Sequence, residues 1–221
     1  MWRKFPILRQ VRAFRFNRSV LFVVMWAAAV VSGICLFDGY ELAAARTGPM
    51  TQYWPAASAL RTAPGVATVI MAIHPKCPCS NLSLSQLQGV LNRRHMRINV
   101  HLLVYQPTGY PDDWSMTSVV RRAQRIQGVD VMFDRGGDEL KKFQARASGE
   151  LWFYDGNGKL LFRGGITGGR GHPGKNSGIS SLISLADGGA PSVAEAPVFG
   201  CAIGEDERIV LIDKGGKTNA Q

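Results

Sequence analysis

Nineteen consecutive residues, SVLFVVMWAAAVVSGICLF at positions 19–37, pass without a charge. As a helix this run is about 28 Å long, enough to cross the hydrocarbon core of a bilayer. Everything else in the chain must be arranged around it. Before it lie Arg3, Lys4, Arg9, Arg12, Arg15 and Arg18 with no acidic residue, and directly after it come Asp38 and Glu41. Basic residues on one flank keep that flank in the cytoplasm. The expectation is a cytoplasmic tail (1–18), a transmembrane signal anchor (19–37) and a body outside the membrane. In a bacterium that means a single pass through the inner membrane, with the C-terminal domain in the periplasm. A cleavable signal peptide is the competing reading, with Ala43-Ala44-Ala45 as an A-x-A-like site. An Arg-rich mitochondrial presequence is a third, but the long apolar run argues against it. Ile34 before Cys35 is not the small residue of a lipoprotein site, so Cys35 reads as part of the membrane helix.

The anchor also explains the charge. The formal net charge is +10, and the first 18 residues supply +6 of it. The body is weakly basic, which gives no case for a nucleic-acid partner. With 46% hydrophobic and 19% charged residues the chain is neither disordered nor fibrous.

Past a Pro/Gly-punctuated linker (38–65), periodicity lays out a domain over 66–187. VATVIMAI at 66–73 reads as a buried strand, ended by His74-Pro75. Leu84, Leu87 and Leu91 repeat at helical spacing. INVHLLVYQ (98–106) is a second strand and QPTGYPDD (106–113) a loop. A helix at 116–126, a short strand at 129–134 and a charged helix at 137–146 follow. ELWFYD and KLLFRGG flank Gly156-Asn157-Gly158 as a hairpin, and a last helix covers about 176–186. Alternation of this kind predicts an α/β fold, a central mixed sheet with helices on both faces. Residues 188–200 read as a second linker, leading to Cys201 and a mostly polar tail with one apolar patch at Ile209–Ile212.

The chemistry concentrates at HPKCPCSN, where the first strand ends and the first helix of the domain begins. Strand ends are where open α/β sheets place their sites. A helix N-terminus offers free N–H groups and the positive end of a dipole, which favour a thiolate, and Lys76 adds a charge beside it. Outside the cytoplasm, Cys77, Cys79 and Cys201 meet oxidising conditions.

Strand, cysteine pair, helix, and later hairpin and final helix is the plan of the thioredoxin fold. The stretch from Val129 to Gly165 resembles the second half of membrane-anchored thioredoxin-like proteins of the TlpA type. HPKCPCS, LWFYDGNGKLLFRGGITGGRGH and VFGC resemble the RedB-like proteins more closely, over roughly residues 54–203. Two features depart from thioredoxins. The motif is C-x-C, not C-x-x-C, and Ala147-Ser148-Gly149-Glu150 stands where a cis-proline usually faces the cysteines.

The resemblance implies thiol–disulfide exchange with a cysteine-containing partner protein through Cys77 and Cys79. A Cys77–Cys79 bond across Pro78 would be strained and readily reduced. Cys201, beyond the second linker, is therefore an attractive resolving or resting-state partner. The bland alternative is a static disulfide that pins the tail. A further alternative is a copper-binding assembly factor. Two thiolates and an imidazole in His74, Cys77 and Cys79 suit Cu(I) or Zn(II), with Cys201 or His172 to complete the set. No other cofactor is expected.

GRGHPGKN (169–176) nearly spells a phosphate-binding loop, but Asn176 replaces the Mg²⁺-binding Ser/Thr and too little chain follows for a nucleotide-binding sheet. No nucleotide is expected, and the segment reads as a loop near the cysteines. Trp152, Phe153, Tyr154 and Phe162 read as core. Arg121, Arg122 and Arg125 read as a solvated helix face. His95 and His101 have no companions that suggest a site.

Overall fold

The computed structural model describes residues 18–93 and 96–204. The basic tail, His95 and the Ile209–Ile212 patch lie outside the described residues. The chain forms two compact units, divided between Tyr40 and Glu41.

The first unit is formed, as far as Tyr40, by helix α1 (Arg18–Glu41), which has no buried residue. Its mean hydropathy reaches 2.6 over an 18-residue window. By length and composition it is able to cross a membrane once. Val, Leu, Phe and Trp are exposed all round it, with no single apolar face set on a protein core.

The second unit is built on a six-stranded sheet. Strand β1 (Ala67–Ile73) is followed by helix α2 (Ser80–Leu91) and strand β2 (Ile98–Gln106). A 3-10 turn at Asp112–Ser115 leads into helix α3 (Ser118–Ala123), then strand β3 (Asp130–Arg135) and helix α4 (Asp138–Lys142). Strands β4 (Leu151–Tyr154) and β5 (Leu160–Gly164) form the hairpin, helix α5 spans Ser177–Ala186, and strand β6 is Glu195–Ala196. The sheet order is β3-β2-β1-β4-β5-β6. β1, β2 and β3 are parallel, β4 is antiparallel to both β1 and β5, and β6 runs parallel to β5. A βαβ half joined through β1 and β4 to an antiparallel hairpin with a final helix is the thioredoxin-like fold.

Strand alternation gives the sheet two working faces. Val69, Met71 and Ile73 point toward α2, α3 and α5, with Leu84, Leu87, Val120 and Leu182. Ile70 and Ala72 point the other way, onto Leu140 and Phe143 with Trp152 and Tyr154. The four aromatic residues expected in the core are all buried.

The segment 188–200 corrects the reading as a linker. Glu195–Ala196 extends the sheet, and Ala196, Val198 and Phe199 are buried. The Ala45 N–H donates to Val198 O at 2.8 Å. The domain therefore continues past 187, to at least Ile203, which is also buried. Two residues of strand bordered by Ala and Pro carry no periodic signal, so pairing with β5 decides their conformation.

Candidate functional site: three cysteines at the end of the first strand

β1 is buried along its whole length, and its C-terminal end delivers His74, Pro75 and the cysteines to one edge of the sheet. The chain then tightens. The Cys77 N–H donates to His74 O, Ser80 N–H to Cys77 O, and Leu82 N–H to Cys79 O, at 3.0, 3.2 and 3.1 Å. Cys79 is the residue preceding α2, already in helical conformation, and its side chain makes no capping bond. This turn points Cys77 inward, where none of its surface reaches solvent, while Cys79 and Cys201 are half-buried.

The three cysteines act on one another's protonation. Cys201 hydrogen-bonds the Cys77 sulfur, as do the Ser80 hydroxyl and amide. The Cys77 thiol is accordingly held well below the ordinary thiol range, at about 4, first by the Cys201 thiol and then, against the opposing cost of burial, by Ser80. Cys201 is pushed up, because it donates to Cys77 and is itself buried. Burial and the charge on Cys77 push Cys79 up too, while the Arg170 guanidinium pulls it down. The site thus favours one thiolate, on Cys77, solvated by the Cys201 thiol and a helix N-terminus.

The nearby cation is not the one expected. Lys76 Nζ stands 4.1 Å from the centre of the Trp114 ring. Arg170, from the glycine-rich loop, is the cation acting on Cys79 and Cys201, and its Nη1 donates to Gly200 O at 2.8 Å. At the end of that loop the residue that departs from the phosphate-binding pattern has a structural role. Asn176 caps α5, its Oδ1 accepting from the Ile179 N–H at 2.9 Å.

His74 is buried, stacked on Tyr105 and edge-on to Trp114, and its Nδ1 accepts from the Lys76 N–H at 3.2 Å. His172 Nε2 lies 2.6 Å from Glu41 Oε2. His101 pairs with the exposed Asp130 at 3.1 Å, away from the cysteines. Among the described residues no group of three or more His, Cys, Asp or Glu side chains is gathered to hold a metal ion.

Ser148 escaped the sequence reading except as a missing proline. Its hydroxyl accepts from the His74 N–H at 2.7 Å and lies 2.6 Å from Ser80 Oγ, tying the end of β1 to the start of α2. Gly149 follows at φ +85°, and a Cβ there would stand 2.9 Å from Ser83 Oγ. Glu150 then anchors the loop. Its carboxylate accepts from Arg163 Nε and Nη2 at 2.8 and 2.6 Å, and from the Arg146 N–H at 3.0 Å. The pair is fully buried. Burial pushes the Glu150 carboxyl up, against the pull of Arg163. Among the described residues there is no cis peptide bond.

No protein-family model matches the chain, and none of the curated proteins does. Solved structures resemble it. An uncharacterized conserved protein from Geobacillus kaustophilus aligns with a TM-score of 0.52 at 18% identity, covering 74% of this chain and 92% of that one. A hypothetical protein from Sinorhizobium meliloti 1021 aligns at 0.55 and 15%, covering 72% and 97%. A secreted Mycobacterium tuberculosis disulfide oxidoreductase overlaps at 0.36 and 18%, over 44% of this chain and 67% of that one. The likeness shows the fold.

Proposed function

We propose that the chain is a membrane-anchored, extracytoplasmic thiol–disulfide exchange protein of the RedB-like, TlpA-type kind. It acts on a cysteine-containing partner protein through Cys77 and Cys79, with Cys201 as the resolving or resting-state thiol. The observation that carries this reading is a fully buried Cys77 in the turn that opens α2, with Cys79 heading the helix and Cys201 held by its backbone against the 146–148 loop. The tail charges and the apolar run support an inner-membrane anchor with the domain in the periplasm.

The Cys77 thiolate attacks one sulfur of a partner disulfide. A mixed disulfide forms, and the partner's other sulfur leaves as a thiolate that takes up a proton. Cys201 or Cys79 then loses its proton and attacks the Cys77 sulfur, releasing the partner's remaining thiolate. The partner gains two electrons and two protons, and the chain holds the disulfide. The reverse sequence oxidises a partner dithiol.

The test is a redox titration of the full chain in detergent, read by thiol alkylation and mass spectrometry. Exchange predicts a disulfide between Cys77 and Cys201 or Cys79 that breaks well above about −300 mV, the level below which structural bridges usually lie. A bond that resists reduction there makes the cysteines a static staple. Free thiols that retain copper instead would return the copper reading on His74, Cys77 and Cys79.

A further inference from the structure

Cys201 is brought to Cys77 by backbone pairing. The Ser148 N–H donates to Cys201 O at 2.8 Å, and the Ile203 N–H donates to Arg146 O at 2.9 Å. Ala147 and Ala202 face each other as an antiparallel bridge. Residues 201–203 thus pair with the 146–148 loop in the manner of a short strand, through one bridge and two main-chain bonds, and we call 200–203 the strand. Main-chain bonds of this sort are indifferent to sequence and accept any extended segment of the same direction.

Side chains restrict the strand at only two places besides the cysteine. A Cβ at Gly200 would stand 1.8 Å from Ser148 O, so the residue before the cysteine must be glycine for the strand to lie this close. Ile203, two residues after the cysteine, is buried in the cluster of Tyr105, Leu140 and Phe143. Cys77 meanwhile has no exposed surface, and its sulfur is bonded by Cys201. A partner disulfide cannot reach it while this strand is seated.

Resting on the exchange reading above, the geometry points to residues 200–203 as a self-supplied stand-in for the partner's own cysteine strand. The partner segment is extended, with the pattern Gly-Cys-x-apolar. It must displace Gly200–Ile203 from the 146–148 loop before its sulfur meets Cys77. The tail therefore holds the reduced site closed to segments that cannot make this pairing.

The probes are two symmetrical peptide disulfides, of Val-Phe-Gly-Cys-Ala-Ile and of Val-Phe-Val-Cys-Ala-Ile, with oxidised glutathione as a small disulfide that does not need the loop. Each is mixed with the reduced full chain in detergent, and mixed disulfide at Cys77 is followed by mass spectrometry. Gly200→Val expels the strand. Cys201→Ala keeps the strand and, like Gly200→Val, removes the thiol contact. The glycine peptide should label Gly200→Val at least about tenfold faster than Cys201→Ala, a difference worth about 1.4 kcal/mol. On Gly200→Val it should outpace the valine peptide by a similar factor. Equal rates for the two peptides, or for the two variants, overturn the inference while glutathione labelling of Cys77 leaves exchange standing. Failure of all three probes to label Cys77 removes the exchange reading itself.

Hydrogen exchange on the chain without the Gly200 substitution gives a second answer should Gly200→Val not fold. In the glycine-peptide mixed disulfide, the Ile203 amide should lose protection while the Ser148 amide keeps it, now bonded to the peptide. An Ile203 amide that stays protected in the captured species overturns the inference.

Discussion

At Cys77 hydrogen bonding and burial oppose each other, and hydrogen bonding wins. Its folded pKa lies below that of an unfolded thiol, so the unfolded chain binds the extra proton between about 4 and about 8.5. The stability this adds to the reduced protein is therefore fully present above the unfolded value and is lost as pH falls through the folded one. Cys77→Ser should flatten that part of the stability profile in denaturant titrations of the reduced protein at a series of pH values. A profile with the same slope in both proteins would show that Cys77 is not the thiolate. The same preference for the reduced form makes the disulfide a stronger oxidant. Ser148 offers a second handle. Ser148→Ala leaves the His74 N–H without its acceptor in a buried place, and should cost about 1–3 kcal/mol in urea unfolding.

Among the elements, the loop before β4 is held by one buried ion pair. Arg163→Leu strands the Glu150 carboxylate, whose partners lie between the 146–150 loop and β5. The expected cost is about 3–5 kcal/mol, read as a lower urea midpoint at unchanged slope. Much of this architecture was legible beforehand. β2 was expected at 98–106 and lies there, and β1, β4, β5 and α5 fall within a residue or two of their apolar runs. Period-2 and helical patterns are local properties, and the hairpin carries its own turn signal. α3 and α4 are shorter than their patterns suggested, because Thr117 is extended just before α3 and Gln144 turns to positive φ after α4. The site was legible in its cysteines and not in its geometry. Ser148 carries no motif, and Arg170 was marked only as part of a glycine-rich loop near the cysteines; both matter through contacts with residues far along the chain.

For the whole molecule, α1 is the one helix among the described residues long and apolar enough to cross a bilayer. Val23→Arg with Val30→Arg should release it from the membrane pellet on fractionation, since each central arginine costs about 2.5–3.5 kcal/mol on insertion. Retention of that double variant in the pellet would mean that another part of the chain binds lipid. The second unit raises a separate point about time. Ala196 is tied into the sheet at β6, and Val198 and Phe199 are buried between it and Gly200. A strand that lifts away at Gly200 therefore stays leashed a few residues from its seat. Its thiol remains at an effective concentration on the order of millimolar or more beside any captured partner. Each covalent complex would then carry its own clock, set by how soon the leash swings back, and its lifetime would be a property of this chain rather than of the partner.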